Sequence, residues 1–213
     1  MKMELILFQN MEEIPVYLEL FPIITPHFKK TTMQATNFFK IEIDGQQFKK
    51  AYLVYVVKLI TENRGTFYYI GQTGDRNYTT ARPAFRRLAG HFSDQGNSTE
   101  NQVYRQIAVK ILGIESASAR QAFTQDTKDK VADFLSNCKI EMFVHPIGEF
   151  LANDEKHKEN RKLAEKIEQE LMNYFVTQVG EEWLFNKKIP KSKTVEYDAM
   201  TKDIIEHHFR ELI

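Results

Sequence analysis

Cysteine is almost missing: Cys138 stands alone among 213 residues. That excludes an intrachain disulfide and any zinc site built from several cysteines. Six prolines and nine glycines are too few for a low-complexity or disordered chain. No apolar run approaches the roughly 20 residues of a membrane-spanning helix. The opening residues are broken by Glu4, Asn10, Glu12 and Glu13, so they do not read as a signal peptide, and a reducing, cytoplasmic location is expected. An excess of charge is lacking too, because 29 basic and 29 acidic residues cancel, which argues against a broad basic coat for polyanions. There is no HExxH, and Gly71-Gln72-Thr73-Gly74-Asp75 lacks the lysine of a phosphate loop.

What is present is ample core material, with 42% hydrophobic and 12% aromatic residues. The length suits one large domain, or one domain with extensions. Charge is uneven along the chain. Between Arg64 and Arg87 five arginines face one acid, Asp75, a local patch of the kind that suits a phosphate.

Residues 1–50 hold short apolar stretches at 5–8 and 16–21 and a strand-like 38–43, with a turn at Asp44-Gly45. They are expected to form an N-terminal extension packed on the core. Residues 51–60 are a nearly continuous β-rich run, as in a strand buried on both faces. Asn63-Arg64-Gly65 is turn chemistry, with 66–71 as the returning strand. Pro83 suits the first turn of a helix in which Phe85, Leu88, Ala89 and Phe92 make the apolar stripe. Arg87 and His91, four apart, share a face away from that stripe; Arg86 points about 100° elsewhere. Asn97-Ser98-Thr99 reads as the cap of a second helix to 111, 114–136 as helix or loop, and 139–147 as a third strand. A strong helix is predicted over 159–176, with Leu163, Ile167, Leu171, Tyr174 and Phe175 inward, and an amphipathic helix over 197–213.

Hydrolysing a phosphodiester needs a base for water, positive charge on the phosphoryl oxygens and help for the leaving oxygen; a divalent metal on a carboxylate serves the last two. A tyrosine is a weak base at its free pKa of about 10 unless a nearby cation favours the phenolate. Tyr55, Tyr69, Arg87, His91 and one glutamate are chemically sufficient for this. Elsewhere, Trp183 and Phe185 are expected to anchor the chain. His207-His208 is expected to be exposed, His145 and His157 have no evident partner, and Lys58 could reach the pocket of Tyr55.

An ordered set of these residues resembles the GIY-YIG nuclease family. The match runs through Val54-Tyr55, Tyr69-Ile70-Gly71, Arg87 four before His91, Glu168 in Glu-x-x-Leu-Met and Asn186 in Leu-Phe-Asn, and it covers about 51–190. Two positions depart, with Leu53 where the motif has glycine and Val54 where it has isoleucine.

The resemblance implies an α/β (α+β) fold, a small three-stranded antiparallel sheet flanked by helices. The nuclease-like domain would span 51–190 with a helical insert at about 93–138, and 191–213 would add a C-terminal helix. It implies an endonuclease acting on DNA, double-stranded or branched, with Mg2+ or Mn2+ and no membrane partner. A homodimer would serve double-strand cleavage. Tyr55 would help activate the water, Tyr69 contact water or phosphate, Arg87 stabilise phosphate charge and His91 assist the base. Glu168 would carry the metal and Asn186 support the site. The alternative is a nuclease-fold DNA-binding module that has lost catalysis. Helical periodicity does not choose between Glu168 and Glu170; the resemblance favours Glu168.

Overall fold

A computed structural model describes residues 2–5, 41–76, 78–95, 101–118, 123–190 and 196–213. The stretches read from sequence at 6–8, 16–21 and 38–40, and the cap at 97–99, lie outside the described residues. Two compact units divide the chain, Met1–Lys49 and Lys50–Ile213.

In the first unit, β1 (Lys2–Leu5) pairs antiparallel with β2 (Ile41–Asp44). Asp44 then caps a 3-10 turn, Gly45–Phe48, by accepting from the Gln46 amide at 2.9 Å.

The second unit is mixed α/β. Its sheet contains β3 (Ala51–Thr61), β4 (Gly65–Gln72) and β5 (Cys138–Glu149), antiparallel in the order β4-β3-β5. The predicted hairpin is present, and Gly65 at φ +80° takes the left-handed conformation that a side chain resists. Helices α1 (Ala84–His91), α2 (Gln102–Gln106), α3 (Gln125–Ser136), α4 (Asp154–Val179) and α5 (Ala199–Ile204) complete it. A π turn, Ile107–Ile111, extends α2; another, Ile205–Phe209, and a final 3-10 turn carry α5 to Leu212. Among the described residues, the elements between α1 and β5 are all helical.

Strand β3 lies centrally, and residues Tyr52 to Val57 are all buried, which explains the unbroken apolar run. Its two faces feed two cores, because alternate side chains point to opposite sides. Val54 and Val56, with Tyr68 and Ile70 of β4, pack on Ile167, Leu171 and Phe175 of α4 and on Phe209 near the C-terminus. Leu163 and Tyr174, also expected inward, are partly buried there. Tyr55, Val57 and Leu59, with Tyr69, pack on the α2–α3 side, against Val103, Ile107 and Val131. Among the described residues no helix is long and apolar enough to cross a membrane.

Helix α1 corrects one expectation. Its buried residues are Ala84 and His91; of the predicted stripe, Phe85, Leu88 and Phe92 are half-buried, Phe92 against the core, and Ala89 is exposed, so the apolar stripe is not the most deeply buried face. The sheet-facing side is the one with Arg87 and His91, whose polar groups find a partner in the Tyr55 hydroxyl. A hydrogen-bonded polar group can be buried at little cost, and periodicity of apolar residues does not see it.

Candidate active site

Strand register builds the site. Tyr55 stands opposite Gly71 and Val57 opposite Tyr69, so both tyrosines occupy the same sheet face on a diagonal. The Tyr55 ring leans across Gly71, and a Cβ at that glycine would overlap its hydroxyl and ring carbons. The motif glycine in β4 is therefore a steric requirement. Leu53, by contrast, is accommodated beside a register shift in the β3–β5 pairing between Tyr52 and Leu53: it is 6% exposed, its amide donates to Thr73 Oγ1 at 2.9 Å, and its carbonyl accepts from the Thr73 amide at 3.2 Å.

Helix α1 brings its polar face onto these phenols. The Tyr55 hydroxyl lies 2.5 Å from His91 Nε2 and accepts from Arg87 Nε at 3.3 Å. The His91 ring sits between the two tyrosines, its centroid 5.5 Å from that of Tyr55 and 5.1 Å, edge-on, from that of Tyr69. Arg86 is exposed on the outer side of α1.

Glu168 of α4 completes the group. Its charge acts on both phenols and on Arg87. Glu170, the other candidate, is turned away: its Oε2 accepts from the Asp198 amide at 3.0 Å and so helps hold the start of α5. Tertiary packing thus places Glu168 beside the phenols and Glu170 against the start of α5.

Electrostatics follow from burial. Burial pushes the Tyr55 phenol up to about 12; Arg87 opposes the rise and Glu168 adds to it. The Tyr69 phenol is held well above its ordinary range, by burial first and then by Tyr55. The Glu168 carboxyl is raised to about 7 by burial, against the pull of Arg87. Both phenols are therefore neutral donors near pH 7, while the arginine stays charged.

Asn186 touches no reacting position. Its side-chain amide donates to the Ile70 carbonyl at 2.7 Å and accepts from the Ile70 amide at 3.0 Å. Next to it, the Phe185 amide donates to the Tyr68 carbonyl at 3.0 Å and the Phe185 ring lies 5.6 Å from Tyr69. Residues 184–186 thus seal the outer edge of β4 and hold Tyr69 and Gly71 in place. Trp183 packs on Phe67, ring centroids 5.4 Å apart, so both aromatics anchor the chain.

Several expectations change. Lys58 does not reach the site; it points to the opposite sheet face and donates to the Leu212 carbonyl at 2.8 Å. His157 does have partners, Tyr52 and the Asp75 carbonyl, and His145 packs at a tilt against the exposed His208 with ring centroids 4.7 Å apart. Arg76 belongs to the arginine patch read between Arg64 and Arg87 but was not singled out there, and it lies near enough to lower the Glu168 pKa; a single arginine in a turn carries no periodic signal.

Among the described residues no three His, Cys, Asp or Glu side chains converge as a metal cage. Magnesium needs no cage, since it binds through one or two carboxylates and keeps several waters. A partly buried carboxyl raised to about 7 has a demand for positive charge that Arg87 meets only in part. The donor set therefore fits a hard divalent cation on Glu168. Comparison with protein-family models, with curated proteins and with solved structures finds no match.

Proposed function

We propose that this chain is a metal-dependent endonuclease of the GIY-YIG type that hydrolyses phosphodiester bonds in DNA, double-stranded or branched. The observation that carries this reading is the convergence of two phenols, a guanidinium, an imidazole and one carboxylate at the β4 side of the sheet. These groups come from β3, β4, α1 and α4, and their chemistry matches what phosphodiester hydrolysis demands.

The high pKa of Tyr55 shapes the mechanism. An attacking water gives its proton to the Tyr55 oxygen while the phenol's own proton passes to His91 Nε2. No free phenolate accumulates, so a pKa of about 12 is no obstacle. The water oxygen bonds to phosphorus as the bond to the leaving oxygen breaks, and solvent protonates the leaving oxygen. Arg87 directs N–H groups at the non-bridging oxygens, where negative charge grows. Tyr69, kept neutral, donates a hydrogen bond to the phosphate or the water. Glu168 would hold Mg2+ or Mn2+, and the bound ion supplies positive charge to the phosphoryl and leaving oxygens.

The test is nicking of supercoiled plasmid and of branched DNA with magnesium or manganese. Tyr55→Phe is expected to lower the single-turnover rate by about 10²- to 10⁴-fold, the usual scale of a positioned proton acceptor. Glu168→Ala is expected to remove metal-dependent cleavage. Full cleavage by either variant, or salt-sensitive binding by wild type without turnover, refutes the catalytic reading, and the latter outcome leaves a binding module.

A further inference from the structure

Beyond the catalytic group, residues 74–76 and 78–81 form a small finger that the reaction does not use. Gly74 and Ala81 form an antiparallel bridge at its base, closed by the Asp75 amide donating to the Thr80 carbonyl at 3.1 Å. The base is tied down from outside. The Tyr52 hydroxyl donates to His157 Nδ1 at 2.8 Å, and His157 Nε2 donates to the Asp75 carbonyl at 2.9 Å. Arg82 holds the Asp75 carboxylate at 3.0 Å, and that carboxylate also accepts from the Tyr78 amide at 3.3 Å.

This anchored base presents an unusual tip. Tyr78 is 71% exposed, more than any other large apolar side chain among the described residues. The Arg76 side chain, at the same tip, is also 71% exposed. Beneath them is a cleft of about 280 Å³ against α4, lined by Arg76, Tyr78, Thr79, Asp154, Lys158 and Arg161. On α4, Lys158, Arg161, Glu165 and Glu168 follow one another at spacings of three and four, so they share one face. That face runs about 15 Å from the cleft to the catalytic carboxylate, the span of a few nucleotides. Arg76 links finger and helix through Glu165 at 2.7 Å, and Arg161 bonds the same carboxylate at 2.8 Å. Glu165 and Asp154 offset most of the positive charge, so a broad electrostatic coat is not what this surface offers.

An exposed phenol ring beside a guanidinium, on a finger braced next to the site, is equipped to stack on a base and contact its phosphate. Bases inside a continuous duplex have no free face. We infer that the finger binds an unpaired nucleotide a few positions from the scissile phosphate, with Tyr78 on the base and Arg76 on the backbone, which makes branched or flapped DNA the preferred substrate. This inference rests on the nuclease reading and adds a substrate class to it.

The experiment measures binding of fluorescent flapped DNA and of a duplex of equal length by Glu168→Gln, and by wild type in EDTA. Both proteins are expected to favour the flap, and Tyr78→Ala in the same background to lose about tenfold on the flap alone, the scale of one base–aromatic stack. Tyr78→Phe keeps the ring and should keep the preference, and Arg76→Gln should reduce the salt slope by about one counterion. Equal affinity for both DNAs, or a Tyr78→Ala protein that still discriminates, overturns the inference even when wild type nicks plasmid. Absence of binding to either DNA at low salt removes it together with the nuclease reading.

Discussion

At the scale of single residues, Glu168 is the group whose state the surroundings alter most usefully. Its carboxyl is raised from an ordinary 4.5 to about 7 by burial. A raised carboxyl binds its proton more tightly in the folded than in the unfolded chain. Its contribution therefore erodes stability as pH climbs from the ordinary carboxyl range through about 7, and is constant beyond. Without divalent ions, Glu168→Gln should melt at a higher temperature than wild type at pH 8, and the gap should close by pH 4. Magnesium at pH 8 should raise the wild-type melting temperature through binding to the folded state alone and leave Glu168→Gln unmoved. A gap that is the same at both pH values would show that this carboxyl is not the perturbed group.

Gly71 makes a different demand, purely steric. Because its missing side chain is the space that the Tyr55 ring fills, Gly71→Ala must displace the phenol from His91. Such overpacking costs about 1–3 kcal/mol, and cleavage should fall further than the stability loss accounts for. Urea unfolding and single-turnover kinetics on the same preparation separate the two effects.

Among the elements, β4 is an edge strand whose outer side is closed by the Asn186 side chain and by the backbone of Leu184 and Phe185. The two bonds from Asn186 to the Ile70 backbone satisfy a buried amide and carbonyl that would otherwise bear the cost of desolvation. Asn186→Ala should therefore cost about 1–3 kcal/mol in denaturant midpoint at unchanged m-value. The rate should fall less than for Tyr55→Phe, since Asn186 positions Tyr69 without touching the phosphate. A rate loss as large as that of Tyr55→Phe would contradict a positioning role. Helix α1 shows the same logic from the other side: its inward face is polar because the Tyr55 hydroxyl is there to receive it.

Across the second unit, the sheet separates two cores. One face carries Tyr55 and Tyr69; the other, with Phe175 and Phe209, holds the C-terminus and the long helix that supplies Glu168. Lys58 and Tyr68 donate to the Leu212 carbonyl at 2.8 and 3.0 Å, pinning that end to the sheet. Phe209→Ala should destabilise by about 3–5 kcal/mol, yet cleavage per folded molecule should match wild type well below the melting temperature. A loss of rate in fully folded protein would mean that the two faces are coupled.

The strands were legible in the chain because their signals are local: a β-rich run, turn residues at 63–65, and an alternating return. The long helix was legible for the same reason, and the tyrosines, Arg87 and His91 stood out as a set through their order and spacing. Periodicity found a half-buried stripe on α1 but not its deepest face, since burying Arg87 and His91 depends on a phenol 32 to 36 residues away. The choice of Glu168 over Glu170 likewise waited on packing, as the two carboxylates differ only in which distant groups surround them. Sequence by itself determined the hairpin of β3 and β4 and which side chains can do chemistry, because those depend on neighbours along the chain. Only the tertiary structure decided which acid, which helix face and which turn meet the phenols, because burial and electric fields are set by neighbours in space.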